Sequence, residues 1–288
     1  MGCKLRASLR ASELAEKLGF KLFGEDVEIT GVSSLDKAQS GYLCFSKCVE
    51  FADFDFPAVV ISPIGSSKSG VATIEVDNPR LQFARALSIL VDDPGFSPAH
   101  SFSSIAESAK ICSSAVIENG VVIGRGTIVG ANVFIGAGTT IGDDCVIRPG
   151  AVIGVSGFGF ERDESGVPIR MPHLGSVLIG DRVEIGSLNT VCRATLGVTV
   201  IEDDVKTDDH VHIAHNCRIR KAALLTACVE LSGGVDVGER VWIGPNSSLM
   251  QKISIGNDSL IGIGSNVLKS IPEKVVAAGN PAKVIKKA

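Results

Sequence analysis

The chain has 288 residues, and its 28 Lys and Arg against 32 Asp and Glu give a formal net charge of −4. This length allows one large domain or two ordinary ones, and a composition of 45% hydrophobic and 21% charged residues excludes wholesale disorder. The slightly acidic balance argues against a nucleic-acid-binding protein, and no apolar run approaches the roughly 18–20 residues of a membrane-spanning helix.

Residues 1–100 predict a small α/β domain. The segment SELAEKLG predicts a short amphipathic helix that starts at Ser12 and stops at Gly19. The segments VEITGVSSL and PAVVISP predict strands. A second helix, PRLQFARALSILV, is predicted to begin with Pro79 in its first turn.

The first twelve residues carry Lys4, Arg6 and Arg10 and no acid. Such a segment is typical of the end of an organelle-targeting presequence, although the start of a helix or a cloning remnant explains it equally well. The eight cysteines form no CxxC pair, which predicts free thiols of a soluble protein in a reducing compartment. We expect a mitochondrial location if the basic segment is a presequence remnant, and the bacterial cytoplasm otherwise.

The strongest pattern in the chain is an aliphatic residue that returns every six positions. A period of six fits neither a helix nor alternating strands, and it predicts a parallel β-helix in which three hexads close one triangular coil. About 24 hexads give roughly eight coils, with the aliphatic side chains stacked inside. We expect the glycine that often follows to permit the tight corner. The inward positions are 105, 111, 117, 123, 129, 135, 141, 147 and 153, then 179, 185 and 191, then every sixth residue from 201 to 267, with Thr207 as an exception to the aliphatic rule.

Two segments leave the period, residues 154–178 and a shorter slip at residues 192–200. A solenoid expels insertions as loops, so we expect both to lie outside the coil, where they either contact substrate or decorate the surface. The predicted organisation is an α/β domain over 1–100, a β-helix over 101–268 with the insertion 154–178, and a short extension over 269–288 whose basic end is solvated.

The register of the repeat predicts a catalytic pair. Because Ile213 points inward, His215 follows at the corner, and the residue one coil later is Gly233. An imidazole as general base and a glycine N–H as oxyanion donor are the two parts that acyl transfer from a thioester needs. The spacing alone fits a surface histidine and a corner glycine as well. Either Asp208 or Asp209, seven and six residues before His215, could orient the imidazole, although a solvated acidic corner fits both equally.

Three histidines also suggest a zinc site, since imidazoles are good zinc ligands. On one β-helix, however, His210, His212 and His215 do not converge, and a shared site would need a neighbouring subunit. We therefore expect no metal.

Four segments resemble the UDP-3-O-acylglucosamine N-acyltransferase family, in the family's order: DNPRLQFARAL, SGFGF, LIGDRVEIGSLNTVCRATLGVTVI and HIAHNC. The resemblance covers most of residues 10–268. It implies a homotrimer of left-handed β-helices with active sites between neighbouring chains and an N-terminal uridine-binding domain. The implied reaction moves a 3-hydroxyacyl group from acyl carrier protein to the 2-amino group of UDP-3-O-acylglucosamine, in lipid A biosynthesis. No cofactor is implied, because the phosphopantetheine thioester of the carrier protein is a co-substrate.

The resemblance also implies roles for individual residues. His215 of IAHN matches the general base, and Gly233 stands at the oxyanion position. Asn216 of HIAHNC and Phe158 of SGFGF fall among the substrate-binding residues. Lys252 aligns with a second histidine that meets phosphates or pantetheine in many members, and a lysine can hold a phosphate as a point charge.

The nucleotide segment departs from the family. LCFSKCVEF stands where members typically read like LSFLSNPKY. Phe45 is kept and the tyrosine becomes Phe51, so stacking on uracil by two aromatic rings survives. The Asn and Lys of the family become Cys48 and Glu50, which removes polar contacts to the nucleotide. The C-terminal helices of bacterial members are also missing, which suggests a divergent, organellar member.

Two other functions remain open at this point. One is a transferase that uses acetyl- or acyl-CoA on another UDP-amino sugar. The other is a non-catalytic trimeric scaffold, or a zinc protein that is similar to γ-carbonic anhydrase.

Overall fold

The computed structural model describes residues 3–51, 53–68, 70–97 and 102–287. The chain divides into two units. The first consists of Met1–Ser97, Gly159–Gly175 and Thr195–Gly197, and the second of Pro98–Phe158, Ser176–Ala194 and Val198–Ala288. Most residues that leave the repeat thus belong to the first unit, not to the β-helix.

The first unit is built around one sheet. Its elements are β1 Cys3–Arg10, α1 Ala11–Leu18, β2 Leu22–Phe23, β3 Glu28–Val32, a 3-10 turn Leu35–Lys37, β4 Tyr42–Phe45, β5 Val59–Ser62, β6 Ala72–Glu75 and α2 Pro79–Asp92. The strand order is β1-β3-β4-β5-β6-β2, with β3 to β6 parallel and β1 and β2 antiparallel at the edges. Buried side chains of the sheet and both helices form the core.

Both predicted helices are present, and their ends have different causes. The Asn78 side chain accepts a hydrogen bond from the N–H three residues later, which caps α2. Helix α1 ends at Gly19, whose φ is +80°. The helix begins at Ala11, one residue before the expected start at Ser12, whose hydroxyl and N–H donate to the carboxylate of Asp26 at 2.9 and 3.0 Å.

The basic N-terminal segment forms a strand. β1 pairs with β3, with Cys3 opposite Val32 and Arg10 opposite Glu28, and Leu5 is buried. Residues 3–10 therefore belong to the sheet, and the alternative of a helix start is wrong.

The second unit is a parallel β-helix of eight coils, as the six-residue period predicts, and each coil gives one strand to each of three faces. The first face holds β7 Ser104–Ile105, β10 Val122–Ile123, β13 Thr140–Ile141, β18 Ser176–Ile179, β21 Val198–Ile201, β24 Arg218–Ile219, β27 Asp236–Val237 and β30 Ser254–Ile255. The second holds β8 Lys110–Ile111, β11 Ile128–Val129, β14 Val146–Ile147, β19 Glu184–Ile185, β22 Lys206–Thr207, β25 Leu224–Leu225, β28 Trp242–Ile243 and β31 Leu260–Ile261. The third holds β9 Val116–Ile117, β12 Phe134–Ile135, β15 Val152–Val155, β20 Thr190–Cys192, β23 His212–Ile213, β26 Glu230–Leu231, β29 Ser248–Leu249 and β32 Asn266–Val267.

The pairing between coils has a register of 18 residues in the regular runs. Ile123 pairs with Ile141, and Ile213 pairs with Leu231. The inward side chains form one continuous buried core along the axis. We call the edge where the chain passes from the second to the third face the second edge, with a turn at 208–211. The third edge, from the third to the first face, has turns at 214–217, 232–235 and 250–253.

The glycine after the inward residue does not serve the corner, so that expectation is wrong. A Cβ at Gly130 would lie 2.9 Å from the backbone nitrogen of Pro149 in the next coil, which shows that close approach between coils requires the glycine. The residue with left-handed backbone conformation comes two positions later, at Asn132 with φ +56°. At most such corners of the β-helix this residue is not glycine.

Both interruptions leave the β-helix at the third edge. Residues 156–175 connect β15 to β18, and residues 193–197 connect β20 to β21. The longer one contains a hairpin of β16 Phe160–Arg162 and β17 Pro168–Arg170. Within the first unit, Arg85 of α2 donates twice to Glu164, at 3.0 and 2.7 Å, and Met171 is buried in the core. The insertion is therefore part of a folded unit.

The C-terminal segment is a hairpin. β33 Val275–Gly279 pairs parallel with β31 and antiparallel with β34 Ala282–Lys287, and Ala277 is buried. The hairpin therefore caps the last coil, as solenoids require. The basic side chains of β34 are exposed, as expected.

In the part of the chain that the structure describes, no helix is long and apolar enough to cross a membrane.

Candidate active site

The third edge carries three of the predicted residues on three consecutive coils. His215, Gly233 and Lys252 lie in its turns 214–217, 232–235 and 250–253. The Gly234 N–H donates to the carbonyl oxygen of His215 at 2.9 Å, and the Lys252 N–H donates to that of Gly233 at 3.0 Å. The backbone ladder thus fixes the spacing of the three residues.

The imidazole of His215 lies directly against Gly233. A Cβ on Gly233 would be 2.7 Å from Cε1 and 2.8 Å from Nε2 of His215, so only glycine fits below the ring. Among the described residues, no group accepts a hydrogen bond from the Gly233 N–H. The structure therefore brings together a half-buried imidazole and a backbone donor that the fold itself does not use.

Asn216 orients the imidazole. Its Oδ1 lies 3.0 Å from His215 Nδ1, and an amide oxygen can only accept, so Nδ1 carries the proton and Nε2 is the basic nitrogen. Asn216 is held in turn, since its N–H donates to Oγ1 of the buried Thr199 at 2.9 Å and its φ is +62°. The residue predicted to bind substrate therefore contacts the candidate base.

The structure does not bring Asp208 to His215. Asp208 lies in the turn of the second edge, whereas His215 lies in the next turn of the same coil, at the third edge. The Asp208 carboxylate accepts the N–H of Asp209 at 2.8 Å. Within one chain Asp208 therefore does not orient the imidazole of His215, because one hexad moves the chain by one edge.

The other histidines lie apart from this pair. His210 is at the second edge with φ +60°, and His212 is on the third face. No group of three His, Cys, Asp or Glu side chains among the described residues could hold a metal ion.

The cysteines are not nucleophiles of this site. All eight are free, and Cys217, behind the His215 turn, is buried. Burial raises the pKa of the Cys217 thiol to about 12, so it stays protonated at neutral pH.

Arg193, which no motif in the sequence singles out, also lies at the third edge. Val191 pairs with Ile213, so Arg193 occupies the same edge position in its coil as His215 does in the next coil. Its Nε donates to the carbonyl oxygen of Gly154 at 2.6 Å. Burial lowers the pKa of Arg193, with the charge of Glu118 acting in the opposite direction. Arg193 would have been identified by aligning the edge positions on both sides of residues 192–200, where the six-residue period shifts by four residues.

The expected nucleotide residues, Phe45 and Phe51, lie in the first unit. The Phe45 and Phe83 ring centroids are 4.8 Å apart, so part of the Phe45 ring faces a core residue. Phe51 has Phe54 at 6.3 Å, and the Lys68 ammonium is 5.0 Å from its ring centroid. Phe158, at the end of the second unit's first segment, is 87% exposed.

The comparisons with known proteins agree on one family. The model of the bacterial transferase hexapeptide (six repeats) matches residues 120–154. UDP-3-O-acylglucosamine N-acyltransferase of Herminiimonas arsenicoxydans is 37% identical over 92% of this chain and 86% of its own length. The enzyme of the same name from Campylobacter lari is 32% identical over 95% and 93%. This chain belongs to the UDP-3-O-acylglucosamine N-acyltransferase family.

Solved structures agree with the fold of this acyltransferase. UDP-N-acetylglucosamine acyltransferase of Francisella novicida gives a TM-score of 0.55 at 27% identity, over 65% of this chain and 70% of that one. LpxA from Acinetobacter baumannii gives 0.54 at 29% identity, over 65% and 72%. The fold is the left-handed parallel β-helix of the hexapeptide-repeat acyltransferases.

A further relative is the probable UDP-3-O-acylglucosamine N-acyltransferase 2, mitochondrial, of Arabidopsis thaliana. It is 39% identical over 49% of this chain and 46% of its own length. That protein is named as mitochondrial.

The tautomer of His215 in this acyltransferase can be measured. In Asn216→Gly, glycine keeps the left-handed corner but removes the oxygen that accepts from Nδ1, so we expect the Nδ1–H form to lose population to the Nε2–H form. Nitrogen-15 chemical shifts of histidine-labelled protein report both forms. Asn246→Gly, at a corner with φ +55° elsewhere, is the matched control and should change nothing. An unchanged His215 spectrum in Asn216→Gly would show that the amide does not fix the ring.

Proposed function

We propose that this acyltransferase moves a 3-hydroxyacyl group from acyl carrier protein to the 2-amino group of UDP-3-O-acylglucosamine, a step of lipid A biosynthesis. The observation that carries the proposal is the imidazole of His215 lying against Gly233, whose N–H donates to no described residue. The full-length relatives named for this substrate support the choice of sugar.

The proposed chemistry places the base and the oxyanion donor on one groove. The 2-amino nitrogen attacks the thioester carbonyl carbon, and Nε2 of His215 takes the proton that the nitrogen loses. The carbonyl oxygen gains negative charge as the tetrahedral intermediate forms, and the Gly233 N–H donates to it without rearrangement. Collapse breaks the carbon–sulfur bond, and the thiolate takes the proton from the imidazolium. The products are an amide and the free phosphopantetheine thiol.

Lys252 is the proposed contact for a phosphate of the donor. It is exposed, and it follows Gly233 by one coil, so it lies on the side of the acyl carbonyl rather than of the amine. An ammonium attracts a phosphate as a point charge. The phosphopantetheine thioester is a co-substrate, and the proposed reaction uses no other cofactor.

The proposed nucleotide site uses Phe45 and Phe51 of the first unit. Phe83 supports one side of the Phe45 ring, and the Lys68 ammonium near Phe51 places a positive charge beside the proposed uracil stack. Phe158, exposed at the start of the insertion, is a proposed contact for the sugar substrate.

The eight free cysteines support a reducing compartment. We propose a mitochondrion or the bacterial cytoplasm, and the mitochondrial relative of Arabidopsis supports the first.

The central test is His215→Ala. Loss of the base should lower kcat by roughly 10²–10⁴-fold, the usual effect of a positioned acid–base group. Binding of the UDP-sugar should barely change, because His215 lies outside the buried core. His210→Ala and His212→Ala are the matched controls and should lower kcat far less. Near-normal turnover of His215→Ala, with loss of activity in either control, would contradict the proposed base.

The nucleotide site is tested by Phe51→Ala and Phe45→Ala. Each should weaken UDP-sugar binding in calorimetry by about 1–3 kcal/mol, the range for base–aromatic stacking. Phe23→Ala, which removes a 41% exposed ring from the same unit, should leave binding unchanged. If both variants bind like the unmodified protein, the segment LCFSKCVEF does not hold the nucleotide.

The proposed assembly is a homotrimer whose active sites lie between chains. Regular faces of a β-helix prism suit a closed cyclic arrangement. Light scattering should give about 90 kDa, three times the 30.0 kDa chain. A stable monomer with full turnover would contradict the shared site.

A further inference from the structure

Arg193 is held in a specific position. Its Nε donates to the carbonyl oxygen of Gly154, and its Nη2 would be 2.9 Å from a Cβ built on Gly136. The guanidinium therefore extends along the third edge over the two preceding coils. The backbone N–H of Arg193 also donates to the carbonyl oxygen of Val155 at 2.9 Å. The arginine is half-buried, and glycine leaves the room for its planar group.

This cation has no carboxylate partner. Across residues 3–51, 53–68, 70–97 and 102–287, Arg193 takes part in no ion pair, whereas Arg125, Arg182 and Arg240 each pair with aspartates. The acid whose charge acts on Arg193 is Glu118, but that carboxylate accepts the Ala137 N–H at 2.8 Å. Partial burial of a cation without a counter-charge is costly, which points to an anionic ligand.

The position of Arg193 selects the ligand. Along the third edge, Arg193 precedes His215, while Gly233 and Lys252 follow it. The amine that His215 serves is on the carbon next to the one that carries the diphosphate of a nucleotide sugar. The two phosphoryl groups therefore extend away from the amine over a length comparable to two coil spacings, about 10 Å. The guanidinium contacts Gly154 and lies beside Gly136, which are two and three coils before His215 and therefore on the side away from Gly233 and Lys252.

We propose that Arg193 binds the diphosphate of the nucleotide-sugar acceptor, and that it does not bind the phosphate of the acyl donor. The inference rests on the proposed function, which supplies the 2-amino sugar nucleotide. Nη1 and Nη2 are the donors for the phosphoryl oxygens, while Nε keeps the bond to Gly154. Arg193 and Lys252 then separate the two phosphate-bearing substrates on either side of the reacting atoms.

The test compares UDP with uridine in calorimetric titrations of the whole protein. In Arg193→Gln, UDP should bind at least about tenfold more weakly and uridine should bind as before, because the lost hydrogen bonds are made to charged oxygens only. Arg193→Lys should bind UDP with intermediate strength. Arg125→Gln, a cation paired on another edge, is the control and should change neither titration. In turnover, KM for the nucleotide sugar should rise in Arg193→Gln while KM for the acyl donor stays constant.

Three results would overturn the proposal. The first is an equal loss of UDP and uridine binding in Arg193→Gln, which we would expect if Arg193 only stabilised the backbone at Gly154. The others are a rise in the KM for the acyl donor alone in Arg193→Gln, and equal binding of UDP and uridine by the wild-type protein. If Arg193→Gln does not fold, the same comparison on Arg193→Lys decides, because unchanged UDP binding and KM there contradict bidentate recognition. Wild-type protein that binds UDP through Arg193 but does not acylate the amino sugar would contradict the proposed function and leave the diphosphate site standing.

Discussion

The parallel hydrogen-bond ladder between coils is the constraint on which the rest of the structure depends. It holds each inward side chain on the one 18 residues away, as with Ile213 and Leu231, and so fixes every edge position in a column. Because coils are about 4.8 Å apart, a side chain and a backbone group on consecutive coils meet without a specialised loop. His215 and Gly233 are such a pair, and their contact follows from the register.

Within residues 102–287, the third edge differs from the other two because the chain leaves the β-helix at this edge alone. Both interruptions begin at this edge, and the coils that follow carry His215, Gly233 and Lys252. In the functions proposed above, this order places the acceptor contact Arg193 before the base His215 and the donor contact Lys252 after Gly233. The β-helix thus provides a rigid scaffold with regular spacing between coils, and the function depends on which side chains occupy the third edge on successive coils.

Periodicity predicted the number of coils, the inward residues and the neighbourhood of His215 and Gly233, because those follow from spacing alone. It did not predict side-chain partners. Asp208 was expected at the imidazole by analogy with hydrolase triads, but a distance of seven residues places it at another edge, and Asn216 takes that role in the structure. Arg193 was missed because the slip after Val191 hides its equivalence to His215. The C-terminal hairpin was missed because the six-residue pattern ends before it.

Analysis of the reaction product shows which atom of the sugar nucleotide the enzyme acylates, and from which donor. The protein is incubated with UDP-3-O-acylglucosamine and either 3-hydroxyacyl carrier protein or the matching acyl-CoA, and tandem mass spectrometry locates the new acyl group. We expect one added 3-hydroxyacyl group on the 2-amino nitrogen, formed with the carrier protein as donor and strongly reduced in His215→Ala. An acyl group on oxygen, equal product from His215→Ala, or product from acyl-CoA alone would contradict this expectation.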